Sequence, residues 1–334
     1  MQSESSLDRS LWTIALAIAV ALVVANFAQR PLFGGDGEAS GFGHPITLWV
    51  TGGEAASQVR SIARQVAACW EQGGQQVDVG VLPGGSSTAV VDFLRSSRRS
   101  PDELLLVTSD TLAEVARDER STPGSELRER GEIAARLLST APTVSVLGSD
   151  SLALAVSARS PLRDTSQLLA QLRGRPAQPF IGIAEDAWLE GSLASLALRA
   201  GVERQVPFEA YRSSRLALAS LVSGEIGAVL TQRSSLAADL AAGRVRALPW
   251  PHGHEPRSQV ALLAPLGLTG RQLATLQSQS GELCAGGEWR RMLHSDGISP
   301  IRSSGTTAMR SFVAEDMAEA AALQALAERI VRSY

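Results

Sequence analysis

Lysine is missing from this chain: all 31 basic residues are arginine, set against 34 acidic residues for a net charge of −3. Its absence removes the phosphate-loop lysine and with it that class of nucleotide site. Together with the excess of alanine, leucine and glycine, it reads as a genomic base-composition effect. The arginines are interspersed with acids instead of forming one basic block, so nothing points to nucleic acid. Cysteine is nearly absent too. Cys69 and Cys284 either pair in an oxidising compartment or stay as two buried thiols, and the helical, largely apolar context of each suits the second. Only four histidines occur. His252-Gly253-His254 has a spacing that could hold a metal, but it lies in a Pro-flanked polar loop without a nearby cysteine. No Gly-x-Ser-x-Gly elbow is present. These deficits leave no enzyme signature, no cofactor motif and no metal set.

Long hydrophobic runs are also scarce. Leu11–Ala28 is the one such stretch, interrupted mildly by Thr13 and Asn26. At helical rise it spans roughly 27 Å, close to a hydrocarbon core. It is either a signal peptide cleaved near Val23-Val24-Ala25 or a retained anchor. Its length fits the anchor, as does the weakly basic start, where only Arg9 offsets Glu4 and Asp8. No cysteine follows for lipid attachment. Both alternatives put the bulk of the chain on the periplasmic side of an inner membrane, with residues 1–30 as signal or anchor helix.

What is present is a chain of 334 residues, 44% hydrophobic, long enough for a substantial core and two domains. Pro31–Gly43, rich in glycine, reads as a flexible spacer. Ile46–Val50 predicts a strand, Thr51-Gly52-Gly53 a break, and Val59, Ile62, Ala63, Val66 and Ala67 one face of a helix. Val77–Leu82 and Leu104–Val107 predict the next strands, with Ser87 or Thr88 capping a helix through Leu94. Arg117–Gly131, polar and holding Pro123-Gly124, reads as a surface loop. Thr143–Leu147 and Leu152–Val156 predict two strands around Gly148-Ser149-Asp150. Helices are expected at Pro161–Leu172 and Trp188–Ala200, the latter ended by Gly201, with a strand at Phe180–Ala184 between them.

The segment Val206–Leu248 then alternates strand, helix, strand, helix and strand. Such parallel α/β units place ligand sites at the carboxyl ends of their strands. A strand at Val260–Ala264 and helical segments at 269–284, 287–295 and 306–332 complete the chain.

At these residues a resemblance becomes specific. Val206-Pro207-Phe208, the helix stopped at Gly224 before Glu225–Leu230, and Ala242-Gly243-Arg244-Val245-Arg246-Ala247-Leu248 resemble the periplasmic substrate-binding proteins of tripartite tricarboxylate transporters. His44–Val50 looks like that family's first strand, Leu82–Thr88 like its Arg-Pro-Gly-Ala-Gly-Gly-Thr turn, and Leu104–Ser109 like its third strand. The resemblance runs in order over residues 44 to 330.

It implies an α/β, two-lobed type II periplasmic-binding-protein fold with an N-terminal transmembrane helix. Lobe 1 would comprise residues 44–145 with 255–334, and lobe 2 residues 146–254. It further implies capture of a small organic acid and delivery to membrane transporter subunits. Helix starts, with unpaired N–H groups and a favourable dipole, would hold the anion. The residues implied are Gly53 and Ser57; Gly84, Ser86, Ser87 and Thr88; Thr108 and Ser109; Ala187 and Trp188; Phe208, unless it packs in the core; and Gln232.

Two departures stand out. Arg60 takes the place of an expected acid. Glu185-Asp186-Ala187-Trp188 replaces a Gly- and hydroxyl-rich loop, so an anion there meets two carboxylates, unless Asp186 only caps the next helix. The altered loop and the anchor together suit an alternative, in which the fold is repurposed as an accessory subunit or sensor of another membrane complex.

Overall fold

The computed structural model describes residues 45–52, 56–72, 74–96, 100, 102–173, 180–184, 187–199, 201, 206–250, 255–295, 298–300 and 306–333. The expected N-terminal helix and spacer, Gly53, Glu185-Asp186 and His252-Gly253-His254 lie outside these residues, as do the side chains of Ser57 and Cys284. Among the described residues no helix is long and apolar enough to cross a membrane. Nor is there, among them, a group of three or more His, Cys, Asp or Glu placed to hold a metal.

Three parallel strands open the fold: β1 (Ile46–Thr51), β2 (Val77–Leu82) and β3 (Glu103–Thr108), with β1 in the middle. Each leads into a helix: α1 (Ala56–Gln72), α2 (Ser86–Arg95) and α3 (Ser109–Glu119). The predicted apolar face of α1 is buried at Val59, Ile62, Ala63, Val66 and Ala67, against Ile46, Leu48 and Val50 of β1. Cys69 is buried in the same cluster.

The stretch read as a loop after Arg117 is shorter than expected, because α4 (Glu126–Leu138) begins inside it. The local chemistry is that of a helix start: the Ser125 hydroxyl accepts from Arg128 N–H, and Glu126 pairs with Arg130 one turn on. Polarity concealed this, since α4 buries only a thin stripe at Gly131, Ala134 and Leu138. Gly131 sits where α4 meets α3, and a β-carbon there would lie 2.3 Å from the Glu119 nitrogen. Gly131→Ala is therefore expected to destabilise by about 2 kcal/mol, lowering Tm by roughly 4–8 °C in scanning calorimetry. An unchanged Tm would mean the two helices do not cross this closely.

β4 (Thr143–Ser157) is one strand of 15 residues, where two were expected. Its centre stays extended because partners hold it from both sides: Ser149 pairs with Gln259 of β9 (Arg257–Leu263) and with Ser299 of β10 (Ile298–Pro300). The first part of β4 runs antiparallel to β9. Its second part runs antiparallel to β7 (Ala228–Gln232) and β8 (Val245–Leu248). β4 and β9 thus carry the chain between the two lobes.

The second lobe contains α5 (Thr165–Arg173), β5 (Ile181–Ala184), α6 (Ala187–Arg199), β6 (Val206–Tyr211), α7 (Ser214–Ser223) and α8 (Arg233–Ala241). β5 is parallel to β6 and β7. Gly224 ends α7 in a left-handed cap at φ 88°, as its position predicts.

After α9 (Gly270–Ala285) and α10 (Gly287–Ser295), α11 (Thr306–Ile330) ends earlier than expected. Val331–Ser333 forms β11, parallel to β6. α11 buries a stripe at Val313, Asp316, Ala320, Gln324 and Ala327. It packs on α6, where a β-carbon on Gly191 would fall 2.6 Å from that of Leu323, and Gln324 donates to the Ala187 carbonyl. It also packs on α3, tied by a two-bonded pair between Arg120 and Glu328 at 2.8 Å. One apolar cluster consequently takes in Leu112 and Ala116 of α3, Trp188 and Leu193 of α6, and Ala320 of α11.

Candidate functional site

β3 and β7, one from each set of parallel strands, both end beside the middle of β4 in one mixed sheet. Thr108, the last residue of β3, pairs with Val260, which pairs with Gly148 of β4; Gln232, the last of β7, pairs with Leu152. The starts of α3 and α8 are therefore delivered to one place, where strand ends of open α/β sheets form ligand crevices. The Gln232 side-chain amide reaches Asp110 Oδ2 across it at 3.4 Å.

Three helix starts that follow strand ends are in three different states. α3 is closed by its own threonines. Thr108 accepts from the Thr111 N–H and Thr111 accepts from the Thr108 N–H, a capping box that satisfies these two donors. The adjoining Ser109 hydroxyl donates to Asp316 of α11 at 2.7 Å and accepts from the Gln259 N–H at 2.8 Å. The Gln259 amide holds the other Asp316 oxygen at 3.2 Å.

α8 is filled from outside. Gln232 provides no side-chain cap, but Asp150 of β4 accepts from the Ser234 N–H at 3.2 Å, from the Ser234 hydroxyl, and from the Arg233 N–H. Asp150 and Asp316 are 2% and 4% exposed. Burial pushes both carboxyls up to about 6, against the hydrogen bonds that favour their ionised forms.

α2 is open. Its cap residue Gly85 makes no side-chain bond, and Pro83-Gly84-Gly85 is exposed. Gly84 has a φ of +89°, which glycine alone adopts without strain, and space around Gly85 is empty on the side a β-carbon would take. The end of β1 lies against this turn, since a β-carbon on Gly52 would meet the Leu82 and Gly84 carbonyls at 2.7 and 2.8 Å.

The hydroxyls of α2 turn inward. Ser86 donates to Glu114, Ser87 donates to Asp118 at 2.6 Å, and Thr88 accepts from Arg130 at 3.0 Å. Burial raises the Asp118 carboxyl, opposed by its Ser87 bond and by Arg117.

Of the other sequence-predicted residues, Ala187, Trp188 and Phe208 are buried in the shared apolar core. Gln232 is 1% exposed but faces Asp110. The acids that satisfy these serines were not anticipated. Two carried a visible signal: Asp150 interrupts an apolar strand pattern, and Asp316 sits on the apolar stripe of α11.

Solved structures share this architecture. The chain is similar to a TctC solute-binding protein from Polaromonas (16% identity, 84% of this chain and 97% of that one, TM-score 0.60). It is similar to MatC from Rhodopseudomonas palustris with bound malate (17% identity, 85% and 100%, TM-score 0.61). A third neighbour is an R. palustris protein with adipate (17% identity, 87% and 100%, TM-score 0.62). This is the fold of the tricarboxylate-type solute-binding proteins. A family model described as the LysR substrate binding domain matches residues 135–273, which include β4 to β8 and α5 to α8. No curated protein matches the sequence. Within this solute-binding fold, the crevice is the place where strand ends from both lobes converge.

Proposed function

We propose that the chain is an extracytoplasmic solute-binding protein that captures a small organic acid for a tripartite tricarboxylate-type transporter. Lobes at residues 44–145 with 255–334, and at 146–254, would close on the guest, and Leu11–Ala28 would tether the protein to the inner membrane. The observation that carries the reading is the uncapped, exposed start of α2 at Pro83-Gly84-Gly85. A helix start without a side-chain cap suits a carboxylate, in a fold whose neighbours hold malate and adipate.

Titration calorimetry of the full-length protein in detergent with mono-, di- and tricarboxylates tests it. At least one acid should give saturable heat, and silence across the panel sinks the reading. Gly85→Asp sharpens the test, because an aspartate at this extended position (φ −74°, ψ 173°) would cap α2 itself. The variant should gain about 0.5–1 kcal/mol of stability while its acid affinity falls at least about tenfold. Unchanged affinity would place the guest elsewhere.

A second reading is favoured by the serines already satisfied by internal acids, Ser109 by Asp316 and Ser234 by Asp150. In it, the fold serves as a membrane-anchored accessory subunit or sensor within another complex. Stable co-purification with a large membrane assembly, without acid binding, would support it over the first.

A further inference from the structure

We propose that the C-terminal segment, α11 with β11, is a strap that couples the two lobes, whose spacing changes only when the strap lifts. The inference goes beyond the solute-binding reading above: closure on a guest would require the strap to let go first.

The contacts alternate between lobes along one helix. Asp316 accepts from the Ser109 hydroxyl, at the first residue of α3, and from the Gln259 amide of β9, at 2.7 and 3.2 Å. Leu323 then presses on Gly191 of α6, and the Gln324 amide donates to the Ala187 carbonyl at the α6 start. Glu328 returns to the first lobe, where Arg120 at the far end of α3 gives it two bonds at 2.8 Å. β11 finally pairs with Val206–Phe208 of the second lobe. α11 runs unbroken through its 25 residues, roughly 37 Å, so it moves as one rod. Neither lobe can then shift against the other without breaking one set of contacts.

Burial points the same way. A hinged pair of lobes keeps a separate core in each, with only the connecting strands between them. Here Leu112 and Ala116 of α3, Leu193 of α6 and Ala320 of α11 are all fully buried in one apolar cluster. Parting the lobes would carry that surface into water. β4 and β9 alone would leave the lobes free to hinge; α11 adds a second attachment, which removes that freedom. The Arg120–Glu328 pair is solvated on both sides and contributes little, so the hold lies mainly in packing.

Pulsed dipolar spectroscopy on the full-length protein in detergent tests this, with no acid added. Spin labels go at Arg64→Cys on α1 and Ala219→Cys on α7, both exposed, with Cys69 and Cys284 changed to alanine. The parent should give one narrow distance distribution. Gly191→Leu has to push α11 off α6, since even a β-carbon there falls 2.6 Å from that of Leu323. Its distribution should at least double in width or gain a second, longer distance. A parent distribution that is already broad overturns the inference, and so does a folded Gly191→Leu as narrow as the parent. Should that variant fail to fold, deletion of Val331–Tyr334, which removes β11, takes its place under the same outcomes. Because the readout is lobe spacing, failure here leaves the acid-binding reading standing, and silence across the acid panel leaves this one.

Discussion

Replacing Trp188 with alanine is expected to destabilise the protein by about 3–5 kcal/mol, a Tm drop of roughly 6–15 °C. The indole is 1% exposed, one residue into α6, and belongs to the apolar cluster shared by α3, α6 and α11. The surroundings have little freedom to collapse into the space it would leave. Gly191, one turn on, is pressed against Leu323, and Gln324 is bonded to the Ala187 carbonyl, so α6 and α11 are already in close contact. A cavity that cannot relax costs most. Scanning calorimetry of Trp188→Ala checks the size of the effect, and acid titration of the same variant checks its nature. A Tm within about 2 °C of the parent, combined with lost binding, would return the indole to the crevice wall.

Trp188 also shows how far residue patterns reach. Periodicity placed α1 and α6, and short apolar runs placed β1, β3, β5 and β7, because those elements bury a continuous stripe or both faces. In α7 the apolar Leu216, Ala219 and Val222 face solvent while Ala217, Leu218 and Leu221 are buried, and β2 buries only its end residues Val77 and Leu82. The closing glycine of α7 was legible for the same local reason. Elements fixed by distant partners were not. α4 looked like loop because its buried stripe is thin. β4 looked broken at Gly148-Ser149-Asp150 because its continuity is supplied by β9 and β10, which lie far along the chain. β11 looked like the end of a helix because only β6 makes it a strand.

The site divides along the same line. That Pro83-Gly84-Gly85 opens a helix could be read locally. That Ser109 finds Asp316, and Ser234 finds Asp150, could not, since those partners stand 207 and 84 residues away in sequence. A polar residue on an otherwise apolar stripe signals that such a partner exists without naming it.

Those two aspartates give the second large effect, a stability that rises as pH falls. Their ordinary value is 3.8, and burial lifts each to about 6 in the folded chain. Above the folded value both states are ionised, and the native state bears the full penalty of two buried charges, at most about 3 kcal/mol each. Between the two values the native state holds protons that the unfolded chain releases, so acidification favours folding. By a pH of about 4.5 each aspartate should have returned about 2 kcal/mol.

Other carboxyls act in the opposite sense. Glu328, held below its usual range by Arg120, loses its contribution as pH falls. The comparison is therefore between the parent and Asp150→Asn or Asp316→Asn at the same pH, which cancels groups common to both. Urea unfolding near pH 7.5 and near pH 4.5 should show each difference moving toward the parent by about 2 kcal/mol on acidification. A difference that stays flat would mean that these carboxyls titrate where exposed ones do. In that case the acids at the meeting of the lobes would be solvated and mobile, leaving the α8 start open to a guest.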